Sequence, residues 1–119
     1  MGETRRAIEF YEQHLTIARE IGDRHGEGIE LGNLGNTYYS LGEPRRAIEF
    51  YEEALVISCE IGGRRGEGIS EWNMALALDQ LGQRAEAIPH AERALEIYEQ
   101  IEDPNTAKVR AKLAVWRQE

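Results

Sequence analysis

Three histidines, one cysteine, a run of glycines and several paired carboxylates are the groups in this 119-residue chain that could do chemistry. His14, His25 and His90 share no ligand spacing, and one cysteine cannot complete a zinc set, so no metal is expected. The histidines then read as surface or helix-contact residues. Gly26, Gly28 and Gly32 imitate a phosphate loop only superficially, because the dinucleotide fingerprint needs a strand ahead of it and none is written here. Cys59 lacks the basic neighbours that would make it a reactive thiolate, and reads as a partly buried structural thiol. Carboxylate pairs such as Glu52-Glu53 follow the polar face of a helix. No nucleophile–base constellation is found, so the chain reads as a non-enzyme without a cofactor. The amides Asn33, Asn36 and Asn73 remain. An amide carries both donors and an acceptor, so it can pair with a peptide backbone in either sense. For Asn33 and Asn73 the alternative use is a hydrogen bond to the neighbouring helix.

The elements that carry these amides are written as a repeat. RRAIEFYE stands at 5–12 and again at 45–52, and residues 5–44 match 45–84 without gaps at 21 of 40 positions. A weaker third copy keeps Ala87, Ile88, Ala94, Leu95, Ile97 and Ile101 in phase. A period of this length signals a solenoid, in which each unit buries its apolar face only against its neighbours.

Each repeat reads as two helices. Ala47, Ile48, Tyr51, Ala54, Leu55 and Ser58 fall at steps of three and four and draw one stripe. Leu31, Leu34, Tyr38 and Leu41 draw another. Asp23 is a candidate N-cap, Pro44 a first helical residue and Gly42 a C-terminal glycine. Asp103-Pro104 repeats the start signal. The spacing predicts six helices, 3–21, 24–41, 44–61, 64–81, 84–101 and 104–117, with linkers short enough to force antiparallel packing. The fold class expected is all-α, an antiparallel helix-hairpin solenoid occupying 1–119 as one array. Within it lie a second-type helix (3–21), two repeats (24–61 and 64–101) and a polar capping helix (104–117). Gly26, Gly28, Gly32 and Gly35 each cost about 1 kcal/mol relative to Ala inside the second helix. Close approach of a neighbouring helix is the expected compensation. Pro89, well inside the fifth helix, predicts a lost hydrogen bond and a kink.

The bulk properties narrow the partners. Lys and Arg total 14 against 22 Asp and Glu, a net charge of −8, which argues against nucleic acid and suits solubility and a basic partner. No apolar run approaches the ~20 residues of a membrane span, and the N-terminus lacks a signal-peptide core. A single cysteine fits a reducing compartment. Cytoplasmic location and no membrane contact are expected.

The pattern Leu34-Gly35, Tyr38, Ala47, Tyr51 and Ala54 resembles the tetratricopeptide repeat. The forty-residue period and Leu31-Gly32-Asn33 look like its long variant, as found in spindle-orientation adaptors, kinesin light chains and bacterial signalling proteins. His14 departs from the pattern where Ala54 and Ala94 stand. Glu71 replaces Leu31, and Trp72 replaces Gly32. The chain opens on a second-type helix without a first-type partner.

That resemblance implies a concave groove, lined by the first helix of each repeat, that holds an extended peptide or a partner helix. Its frame assigns Ile29, Gly32, Asn33, Asn36, Tyr39 and Ser40 on helix 24–41 to the groove. On helix 64–81 it assigns Ile69, Trp72, Asn73, Leu76, Asp79 and Gln80. Trp72 has a second reading as a packing residue that fills the space Gly32 leaves. Some members grip a terminal carboxylate with two Asn and three basic residues. Asn36 and Asn73 match the two Asn, but Gly32 stands where the first Lys belongs. Lys108 and Lys112 fit only with a one-residue gap, so no clamp is expected. The function expected is a protein-interaction module, a segment of a larger scaffold or signalling protein that binds a protein or peptide ligand. The alternative is a self-assembly arm forming a homo-oligomer through its unpaired first helix.

Overall fold

The computed structural model describes residues 2–118. Among them are six α-helices and no strand: α1 (Gly2–Ile21), α2 (Arg24–Ser40), α3 (Pro44–Ile61), α4 (Arg64–Gln80), α5 (Arg84–Gln100) and α6 (Thr106–Gln118). Each helix packs chiefly on its sequence neighbours, which makes a stack of 44 × 33 × 21 Å.

The turns recur every twenty residues and share one geometry. Gly22, Gly42, Gly62 and Gly82 adopt φ of +73°, +80°, +72° and +77°, and Glu102 takes the fifth place at +54°. After each, an amide reaches back five residues: Asp23 to Ala18, Glu43 to Tyr38, Gly63 to Ser58, Gln83 to Leu78 and Asp103 to Tyr98, all at 2.8–2.9 Å. This left-handed cap closes the carbonyls that a helix end leaves unpaired and reverses the chain at once. Helix starts vary more. The Asp23 carboxylate accepts the Gly26 amide at 2.9 Å, Pro44 opens α3, and α4 starts from Gly63 without a side-chain cap.

The last helix begins two residues later than its Asp-Pro signal predicts. The Asp103 carboxylate accepts the Asn105 amide at 2.8 Å, and the Thr106 hydroxyl donates to the Asp103 carbonyl at 2.7 Å. That capping turn uses up Pro104 and Asn105. Pro89 does not break α5. It removes only the bond to the Ala85 carbonyl, and both residues are exposed, so solvent reaches the freed acceptor.

Two cores lie along the stack. One joins Leu15, Leu31, Leu34, Tyr38, Ala47, Tyr51, Ala54, Ile57 and Met74. The other joins Trp72, Ala75, Leu78, Ala87, Ala91, Ala94, Tyr98, Val109, Leu113 and Trp116. Polar contacts repeat with the same period. Arg24 bonds Glu27 at 2.9 Å and also Glu60, and Arg64 bonds Glu67 at 3.2 Å and also Gln100.

The glycines of α2 do not share one explanation. A Cβ on Gly35 would lie 2.5 Å from the Tyr51 ring, and one on Gly28 would lie 3.2 Å from Ile57. Both are close approaches between α2 and α3, as expected. A Cβ on Gly26 would meet only the Asp23 cap, and one on Gly32 would meet nothing within 4 Å. For these two the close-approach account fails. Cys59 is also corrected, since it is exposed rather than partly buried. Residual burial first, then Glu67 and Glu71, push its thiol up, against Arg64. A reactive thiolate is disfavoured on that ground.

Candidate functional site

A cavity of about 250 Å³ opens where α2 and α4 face each other across α3. Its floor is supplied by Tyr51, Ala54, Ile57 and Ser70, all nearly inaccessible. At its mouth stand Ile29, 49% exposed, and Ile61, 45% exposed. Gly28, Gly32 and Gly66 keep its sides low. No Asp, Glu, Lys or Arg lines it, in a chain with 22 acidic residues. A second cavity of about 260 Å³, lined by Asn36, Tyr39, Ser40, Tyr51, Asn73 and Leu76, shares Asn36, Tyr51 and Asn73 with the first. The two therefore read as one groove running along the first-type helices.

The amides stand on its walls. The Tyr51 hydroxyl donates to Asn36 Oδ1 at 2.7 Å, which fixes that side chain and leaves its NH₂ free to donate. Burial first, and then Tyr39, push the Tyr51 hydroxyl up, so it remains a neutral donor. Asn33 Nδ2 donates to Glu30 Oε1 at 3.3 Å, within its own helix. Asn36 thus bonds the neighbouring helix α3, whereas the bond of Asn33 stays within α2. Asn73 lines both cavities and is half-buried.

The groove thus brings together Ile29, Gly32, Asn33, Asn36, Tyr39, Ser40, Ile69, Asn73 and Leu76 from the residues assigned by sequence. Others lie elsewhere. Trp72 is 7% exposed and stacks on Trp116, ring centroids 6.0 Å apart, so it belongs to the core under α6. Asp79 accepts from Arg84 at 2.8 Å and lines a separate hollow beside Trp116. Gln80 is exposed and lines none of these spaces. Sequence reasoning missed the α3 contribution, Tyr51, Ala54, Ile57 and Ser58, because its frame took the groove from first-type helices alone. The usable signal was Gly35, which removes a side chain where Tyr51 must pass.

Outside the groove three buried carboxylates, Glu27, Glu71 and Asp103, are each paired with arginine. Glu71, on α4, accepts from His90 Nδ1 at 2.6 Å and from Arg93 Nε at 3.0 Å. Burial raises its carboxyl, but the bonds from His90 and Arg93 outweigh this and hold it below the usual carboxylate range. The same holds for Glu27 between Arg19 and Arg24. Both clusters are fully paired and face away from the groove lining. Among the described residues no His, Cys, Asp and Glu group could hold a metal ion. No helix there is long and apolar enough to cross a membrane.

Comparison with known proteins agrees with this architecture. The chain is 56% identical over 36 residues to G-protein-signaling modulator 1 of Mus musculus, and 53% to that of Homo sapiens. Those matches cover 30% of this chain and 5% of the relatives. The crystal structure of BtubC (BKLC) from P. vanneervenii superposes with a TM-score of 0.87 at 28% identity. The match covers 97% of this chain and 48% of that one, so the chain spans about half its length. The family model described as tetratricopeptide repeat matches residues 1–60, and a second of the same description matches 73–106. With half the sequence under the first match alone, the chain belongs to the tetratricopeptide repeat family.

Proposed function

We propose that this chain is a protein-interaction module that holds a peptide or partner helix in the groove between α2 and α4. An uncharged apolar side chain of the ligand seats in the cavity beside Gly32. Tetratricopeptide repeat domains are generally protein–protein interaction modules and are typically non-enzymatic, which supports the reading. The observation that carries it is Gly32. A glycine inside a helix costs about 1 kcal/mol relative to Ala, and no neighbour within 4 Å requires its missing side chain. What it does is keep a cavity open. Asn36 and Asn73 then pair with the ligand backbone, and the mainly apolar lining, with His25 its one basic side chain and no Lys or Arg, favours an aliphatic or aromatic anchor over a terminal carboxylate. The short span against longer relatives suits a segment of a larger scaffold or signalling protein, and a lone free thiol suits the cytoplasm.

The test is selection from a displayed peptide library on the wild-type chain, followed by affinity measurement on variants. The reading expects selected peptides to share one apolar anchor. It also expects affinity to fall at least about tenfold in Asn36→Ala and Asn73→Ala, each removing one backbone pairing. Peptides that bind all variants equally would place recognition elsewhere.

A further inference from the structure

The forty-residue frame sets the cavity in the first repeat beside a filled counterpart in the second. Tyr98 is the counterpart of Ser58, and Trp72 of Gly32. In the second repeat a Cβ on Gly68 would lie 2.9 Å from the Tyr98 ring and 3.1 Å from Ile97. In the first repeat a Cβ on Gly28 would meet only Ile57, at 3.2 Å. The isoleucine contact is thus kept and the ring is missing. Where Tyr98 lies buried at 1% exposure, the first repeat has Ser58 and an opening of about 250 Å³.

The opening is not wholly apolar. Ser58 on α3 and Ser70 on α4 both line it. Ser70 is 5% exposed, and neither hydroxyl has a hydrogen-bond partner within the chain. Thr16 and Thr37, by contrast, donate to the carbonyls four residues back, at 3.0 and 2.8 Å. Among the described residues no side-chain oxygen sealed from solvent lacks a partner, so the Ser70 hydroxyl opens on the cavity. A hydroxyl held nearly buried without a bond costs stability until something binds it.

We infer that the ligand side chain seated in this cavity is a tyrosine, its ring beside Gly28 as the Tyr98 ring lies beside Gly68, and its hydroxyl between Ser58 and Ser70. The anchor presupposes the proposed groove between α2 and α4, whose walls hold the rest of the peptide. A phenol hydroxyl both donates and accepts, so one serine accepts its proton while the other donates to its oxygen. Phenylalanine or leucine fills the same space and leaves both serines unpaired. An indole N–H, a donor alone, serves only one of them.

The experiment screens displayed peptide libraries against the wild-type chain, each with one fixed central residue (Tyr, Phe, Leu or Trp) between randomised flanks. The tyrosine library should enrich most. Its best binder should lose at least about fivefold in affinity when its tyrosine becomes phenylalanine. That loss should shrink to within about twofold on the chain carrying both Ser58→Ala and Ser70→Ala. Ser58→Tyr, which supplies the ring from the chain itself, should unfold cooperatively and bind none of the selected peptides. Enrichment of another library over tyrosine, or a phenylalanine penalty that survives loss of both serines, would overturn the tyrosine, while Asn36→Ala and Asn73→Ala still test the groove. Affinity that ignores the two asparagine variants but follows the serine pair would instead overturn the backbone pairing and support the tyrosine. Failure of every library to enrich would overturn both.

Discussion

Gly35 and Tyr51 occupy one space: a Cβ on Gly35 would stand 2.5 Å from the Tyr51 ring. One repeat later the same two positions read Ala75 and Ala91, both fully buried. The chain itself records two solutions to one contact, a large residue against none and small against small. Gly35→Ala should therefore destabilise by about 1–3 kcal/mol through overpacking, despite the gain in helix propensity. The same substitution in a Tyr51→Ala background should cost less by at least about 1 kcal/mol. Denaturant unfolding of the double-mutant cycle reads this coupling, and additive effects would show that the contact is not the reason for the glycine.

Gly32 behaves oppositely. With nothing within 4 Å of its Cβ site, Gly32→Ala should raise stability by about 1 kcal/mol. Loss of stability in urea would mean that a neighbour does use the gap.

Glu102 holds the left-handed turn position that glycine fills four times elsewhere, at φ +54°. Such a conformation costs a non-glycine residue about 1–2 kcal/mol. Glu102→Gly should recover part of that and raise Tm by about 3–5 °C for a chain of this size. An unchanged melting curve would indicate that the turn relaxes at no cost.

Glu71 makes part of the stability depend on pH. Its carboxyl is held low in the folded state, so its contribution is present above the unfolded carboxylate value of about 4.5 and is lost as pH falls through the lower folded value. Glu71→Gln should cost about 1–3 kcal/mol at pH 7 and flatten the acid limb of the stability curve. Leu31 stands at the equivalent place in the first repeat, so Glu71→Leu with His90→Phe should fold with little loss, since well-packed apolar residues often replace a buried ion pair. Urea midpoints between pH 3 and pH 7 check both.

Periodicity made the helices legible, because apolar spacing and turn glycines are local signals that recur each twenty residues. The groove was legible only in part. Gly32 and Trp72 share a register, and register alone cannot say which of them faces open space. The difference is α6. Its Trp116 stacks on Trp72 with ring centroids 6.0 Å apart, whereas a side chain at Gly32 would meet nothing within 4 Å. Tyr51 was hidden for another reason. Its side chain belongs to the core by pattern, and only the missing side chain at Gly35 lets its hydroxyl reach Asn36 at the groove wall.

The central claim is that the space beside Gly32 exists for a ligand. Gly32→Trp tests it most directly, by placing in the first repeat the residue that already fills the second. The account predicts that a peptide selected on the wild type loses binding at least about a hundredfold in Gly32→Trp, read by titration calorimetry, while the melting temperature is retained. Undiminished affinity in a folded Gly32→Trp chain would contradict it.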